Sequence, residues 1–166
     1  MADRILVPLA FSQFSSGIVR YAAKLAEAFD SELILVNVIS SRDLEAVERI
    51  TSYGYKVDIE HYLETIREER REKLMAMTES LNLPDDKVSF TFRVGDPTVE
   101  LLKVVVEKEV DMVVMGTKTR DLRNVFTGSV AERMFRKCPV TIVSYRDSNT
   151  SERLYRRAKK LFEKKH

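Results

Sequence analysis

The chain has 166 residues, 44% of them hydrophobic and 33% charged, and a net charge of +2. That size fits one domain with a full core, and the composition excludes disordered and fibrous classes. No apolar run approaches the roughly 20 residues needed to cross a bilayer, and the near balance of charge argues against a broad nucleic-acid face.

The opening residues run straight into Arg4 to Leu9, a short apolar segment that reads as a buried strand. Nothing before it has the basic leader and cleavage site of a secretory signal, so a cytoplasmic location is expected. Ser12 marks a helix start, and Ile18, Ala22, Leu25, Ala26 and Phe29 then recur at helical spacing. Leu33 to Ile39 is a second apolar strand. Neither strand alternates between apolar and polar, which is the pattern of a parallel sheet covered on both faces. Residues 40 to 58 are polar and irregular, with Gly54 as a loop marker.

From Ile59 to Leu81 the apolar residues return at intervals of three, four or eight, and Arg67 to Lys73 covers the opposite side with charge. This is a long amphipathic helix with a solvated face, ended by Pro84-Asp-Asp86. Val88 to Val94 is a third strand. Asp96 and Pro97 then give an N-cap and a first-turn proline, which predict a helix through Val104-Val-Val106 despite the β-branched run. Asp111 to Met115 is the fourth strand, and Thr117 to Thr127 is a polar loop. Ser129 and Glu132 have capping-box spacing at the start of another helix. Cys138-Pro139 ends that helix, and Val140 to Ser144 is the last strand. Cys138 is the only cysteine, so no intrachain disulfide forms; a buried inert thiol in a reducing compartment is expected. Such strict alternation predicts an α/β fold: a doubly wound five-stranded parallel sheet with helices on both faces.

In such sheets ligands bind beyond the carboxyl ends of the strands, where the strand order reverses. Pro8 to Ser12, Val38 onward and Gly116 onward are the segments expected there. Gly116 leaves a strand tightly, Gly128 permits close approach, and Ser129 opens a helix whose N–H groups favour phosphate. Spacing alone leaves two readings open: a phosphate loop, or merely a strand exit and a helix start.

The chain also resembles a known family. Met115-Gly-Thr-Lys-Thr119, Thr127-Gly-Ser-Val-Ala-Glu-Arg133 and Cys138-Pro-Val-Thr-Ile-Val143 are similar to the C-terminal signature of universal stress proteins. Arg4-Ile-Leu-Val-Pro-Leu9, Tyr21-Ala-Ala-Lys-Leu-Ala26, Leu35-Val-Asn-Val38 and Val94-Gly-Asp-Pro97 resemble its other blocks, in consistent order over residues 3 to 145. The resemblance implies a Rossmann-like sheet of the adenine nucleotide alpha hydrolase type, a homodimer formed through Val140 to Ser144, and in one branch bound ATP, with Mg accompanying it. It carries Pro8, Leu9, Ala10, Val38, Met115, Gly116, Thr117, Thr119, Gly128, Ser129 and Val130 over as nucleotide contacts. Two departures stand out. Thr119 replaces the second glycine of the family's Gly-rich pattern, with the loop to Gly128 one residue shorter, and Ala10 replaces the acid that ends strand one.

No general base or acidic metal cluster stands near the loop, so a regulatory module rather than an enzyme is expected, a slow ATPase being the residual enzymatic reading. His61 and His166 are the only histidines, too few for a zinc site or a hydrolytic triad. A receiver domain needs an acidic pair after strand one, and Leu9-Ala-Phe11 has none. The alternative to nucleotide binding is a ligand-independent interaction module of the same family. Residues 1–146 read as the domain and 147–166 as a basic helical tail. That tail holds seven Lys/Arg against three carboxylates, leaving the body at −2. Leu154, Ala158 and Leu161 form a helical stripe on it, fit for docking on the body, a partner subunit or another protein partner; the sharper reading is an acidic partner or an anionic membrane surface.

Overall fold

The computed structural model describes residues 2–52, 58–116 and 130–163. Five strands form one parallel sheet in the order β3-β2-β1-β4-β5. They are β1 (Arg4–Leu9), β2 (Glu32–Ser40), β3 (Val88–Gly95), β4 (Met112–Gly116) and β5 (Thr141–Tyr145). The helices are α1 (Ser15–Phe29), α2 (Ser41–Ser52), α3 (Ile59–Thr78), α4 (Pro97–Glu107), α5 (Val130–Lys137) and α6 (Ser148–Glu163). The expected doubly wound fold is what forms, with β5 at an edge of the sheet.

Strand pleating divides the core in two. Ile5, Val7 and Leu9 of β1 face α1 and pack with Val19, Ala22 and Leu74. Leu6 faces the other way, with Ile34, Val36, Leu101, Val104 and Met134. Most of these side chains are fully buried, and each Val, Leu, Ile or Met contributes about 1.5–3 kcal/mol. Coverage on both faces is why the strands carry unbroken apolar runs.

Several boundaries differ from expectation. α1 begins at Ser15, not Ser12: Phe14 is its N-cap, and the Ser15 N–H donates to the Ser12 carbonyl at 2.9 Å. Ser12 thus closes a turn before the helix instead of capping it. Residues 41–52, expected to be irregular, form α2. Leu44 and Val47, three apart, are half-buried there, and the strong helix formers Arg42, Glu45, Ala46, Glu48 and Arg49 fill the positions around them. Gly54 lies outside the described residues. α3 ends at Thr78, and Asp85–Lys87 is a separate 3-10 turn ahead of β3. Cys138 is half-buried rather than buried, packed at the margin of the α4–α5 core.

α4 starts as its sequence dictates. The Asp96 carboxylate accepts from the N–H groups of Thr98 and Val99 at 2.9 and 3.0 Å, and Pro97 occupies the first turn. Capping outweighs the β-branched run Val104-Val-Val106, which lies inside the helix.

Candidate functional site

The sheet winds outward from β1 in both directions, so the strand order reverses between β1 and β4. Pairing there is short. Ile5 and Leu6 match Met112 and Val113, whereas the ladder from β1 to β2 continues to Leu9 opposite Asn37. Two residues past Leu6 stands Pro8, which has no N–H to extend a ladder. Beyond that point the two strands leave a cavity of about 520 Å³.

Each neighbouring element supplies a wall. Pro8, Leu9 and Ala10 come from the end of β1, Val36 and Val38 from β2, and Met115 and Gly116 from β4. Pro97 and Leu101 of α4 and Val130 and Ala131 of α5 close one side, and Ser12 and Phe14 of the turn before α1, with Ile18 of α1, the other. Of the residues expected from the sequence, the fold therefore brings together Pro8, Leu9, Ala10, Val38, Met115, Gly116 and Val130. Thr117, Thr119, Gly128 and Ser129 lie outside the described residues.

A polar network holds the end of β1. Asn37 is 3% exposed; its Nδ2 donates to the Leu9 carbonyl at 2.7 Å, and its Oδ1 accepts from Arg70 Nη1 at 2.5 Å. The Arg70 guanidinium lies 5.9 Å from the centre of the Phe11 ring. Phe11 has a φ of 50°, a left-handed conformation that costs a bulky residue about 1–3 kcal/mol. This strained turn lifts the chain off the sheet beside the cavity, and Ala10 is exposed at its lip.

Gly116 has a packing role as well as a place in the wall. A Cβ there would lie 2.7 Å from Ile18 Cδ1, so β4 leaves the sheet close beneath α1. Gly17 acts likewise for Tyr145, whose hydroxyl would meet a Cβ at 2.7 Å. Tyr145 also packs against Tyr21 with ring centroids 5.5 Å apart.

The wall that the sequence reading missed is the segment after β5. Tyr145, Arg146, Asp147, Thr150 and Arg153 all line the cavity. Asp147 caps α6: its carboxylate accepts from the Thr150 N–H at 3.0 Å, and its carbonyl from the Ser151 N–H at 2.9 Å. Bonding to the Thr150 side chain and backbone holds the Asp147 carboxyl below its ordinary range. An Asp ahead of Ser148-Asn-Thr150 is a cap signal visible in the sequence. On the α4 side, the Val99 N–H above all, together with Arg133 at 3.0 Å, depresses the Asp96 carboxyl. No group of His, Cys, Asp and Glu suited to a metal ion occurs among the described residues.

A parallel sheet ordered 3-2-1-4-5 with a cavity at its reversal accords with a family model that matches residues 1–146, that of the universal stress protein family. The chain belongs to that family. A universal stress protein of Methanothermobacter thermautotrophicus is 30% identical over 145 residues, covering 86% of this chain and 94% of the relative. The solved structure of MJ0577, a universal stress protein of Methanocaldococcus jannaschii, superposes with a TM-score of 0.62 at 27% identity, over 89% of this chain and 99% of that one. A universal stress protein of Archaeoglobus fulgidus, solved in complex with dAMP, shares the fold at a TM-score of 0.54 and 14% identity, over 86% and 97% of the two chains. Among the described residues, no helix is long and apolar enough to cross a membrane.

Proposed function

We propose that this universal stress protein is a cytoplasmic, dimeric, non-enzymatic regulatory module that binds an adenine nucleotide, ATP foremost and Mg with it, in the cavity between β1 and β4. The observation that carries this reading is the cavity itself. About 520 Å³ of mostly apolar space lies at the strand-order reversal, where open α/β sheets take their ligands. The apolar residues Pro8, Val36, Val38 and Met115 suit a base. Arg146 and Arg153 line the same cavity, and a guanidinium is the group that recognises phosphate oxygens. Gly128 and Ser129 join them on the strength of the sequence resemblance. A relative of this fold holds dAMP, which agrees with an adenine ligand.

Residues 1–146 supply the five strands and most of the cavity wall, and α6 beyond them completes that wall through Thr150 and Arg153 while its removal leaves the strands intact. A second copy pairs along β5, an edge strand with half-buried Ile142 and Val143. Ala10 favours the second reading, a ligand-independent interaction module, because its methyl group accepts no hydrogen bond from a nucleoside.

Titration calorimetry with ATP, with and without Mg, separates the two. Saturable binding is expected, tightened about tenfold or more in Ala10→Asp through one charge-assisted hydrogen bond. Absence of saturation at millimolar ATP in both proteins leaves the interaction module standing.

A further inference from the structure

We propose that α6 lies on an anionic lipid surface. The helix falls beyond the family model, which ends at Arg146, and none of its residues is buried. Its first turn sits at the cavity wall, with Leu154 half-buried, but the rest stands clear of the body. Tyr155, Leu161 and Phe162 are 72%, 70% and 73% exposed, so of the two docking readings, on the body or on a partner subunit, the first accounts only for the start of the helix.

At the helical spacing of 3.6 residues per turn, Leu154, Tyr155, Ala158, Leu161 and Phe162 share one arc of about 120°. Arg157 flanks one side of that arc and Lys159 the other, each about 40° past its edge. Glu152 and Glu163 share the remaining, polar face with Arg153, Arg156 and Lys160. Glu152 is paired with Arg156, and Glu163 lies 3.7 Å from Lys159. Cations thus border the apolar stripe on both sides, and the polar face of α6 holds five of them against two carboxylates. That is the distribution a helix needs at a bilayer surface: apolar and aromatic groups enter the acyl boundary while Lys and Arg reach lipid phosphates. A second copy of α6 would instead set these cations against their equals, which like-charge repulsion opposes. An anionic bilayer satisfies both the stripe and its flanks.

Flotation of the full chain with vesicles tests this. Binding is expected to vesicles of phosphatidylcholine with about 30% phosphatidylserine, and little to phosphatidylcholine alone. Tyr155→Ser with Phe162→Ser, and separately Arg157→Glu with Lys160→Glu, should each weaken binding about tenfold or more, and ~0.5 M salt should release the wild type. These positions are exposed, so circular dichroism should show both variants folded. Wild-type chain that floats with neither vesicle overturns the proposal and points to a protein partner. Flotation unchanged in the double serine variant overturns it as well. So does a wild-type dimer that the serine variant turns into a monomer, without vesicle binding by either.

Discussion

At the amino ends of the strands, the polar groups are matched to one another. The Asp111 carboxylate accepts from the N–H groups of Asp3 and Arg4 at 2.8 and 2.9 Å. Arg4 reaches the Lys108 carbonyl, Glu109 and Glu32 at 3.1 to 3.4 Å, and the Ser31 hydroxyl donates to the Ala2 carbonyl. At the carboxyl ends, by contrast, the β1–β4 ladder parts early, a phenylalanine sits in a left-handed conformation, and α6 caps itself at the rim of a cavity. One sheet therefore has a closed end that fixes the fold and an open end that leaves room for a ligand. Substitutions at the closed end should change stability and spare binding, and those at the open end the reverse.

The largest effect expected is at the lip of the cavity. Ala10→Trp adds an indole to an exposed position that lines it. Nucleotide affinity should fall at least about 100-fold, or 2.7 kcal/mol, with stability within about 1 kcal/mol of the wild type. Calorimetry and urea denaturation read the two quantities. Unchanged affinity would put the ligand elsewhere.

Asn37 breaks the simple division, because it belongs to the core and to the rim at once. Asn37→Ala leaves the Leu9 carbonyl and Arg70 without their buried partner, at a cost of about 2 kcal/mol. Because this network steadies the end of β1, affinity should fall with it, about severalfold. A loss of stability with full affinity would make the network purely structural.

At the closed end, Asp111→Ala should cost about 1–2 kcal/mol, allowing for exposure, and leave nucleotide affinity unchanged. Hydrogen bonds from the backbone of Arg4, then of Asp3, hold the Asp111 carboxyl below its ordinary value of 3.8. A depressed carboxyl contributes fully above that value and loses its contribution as pH falls through the lower folded-state value. The gap in stability between wild type and Asp111→Ala should therefore be constant near neutrality and close below about pH 4. Urea midpoints measured across that range check it, and a gap that persists in acid would remove the carboxylate as its cause.

How much of this was legible follows from where the information lies. The sheet was readable because burial on both faces forces unbroken apolar runs, as in Leu33 to Ile39, and α4 because Asp96-Pro97 is a strong local start. α2 was not: Leu44, Val47 and Ile50 recur at helical spacing, but the segment is short and charged, and it follows β2 with no turn residue between them to mark its start. At the site, Pro8, Val38 and Gly116 came from the resemblance and from the rule that ligands sit at the carboxyl ends. The walls given by Tyr145 and Arg153 depend on the direction in which the chain leaves β5. The place of Tyr145 rests on the missing Cβ of Gly17, far away in sequence, and no local pattern encodes that.

The smallest effect expected concerns the strain at Phe11, and a pair of substitutions isolates it. Phe11→Ala and Phe11→Gly both remove the half-buried ring, and with it the contact to Arg70, worth about 0.5–2 kcal/mol. They differ in the backbone. Alanine keeps the Cβ that disfavours a φ of 50°, whereas glycine adopts that conformation freely. Glycine also loses more chain entropy on folding, which offsets part of its advantage. The glycine variant should still be the more stable of the two, by about 1 kcal/mol. If the two unfold at the same urea concentration, the turn after β1 holds no strain, and the open end of the sheet is no more tensed than the closed one.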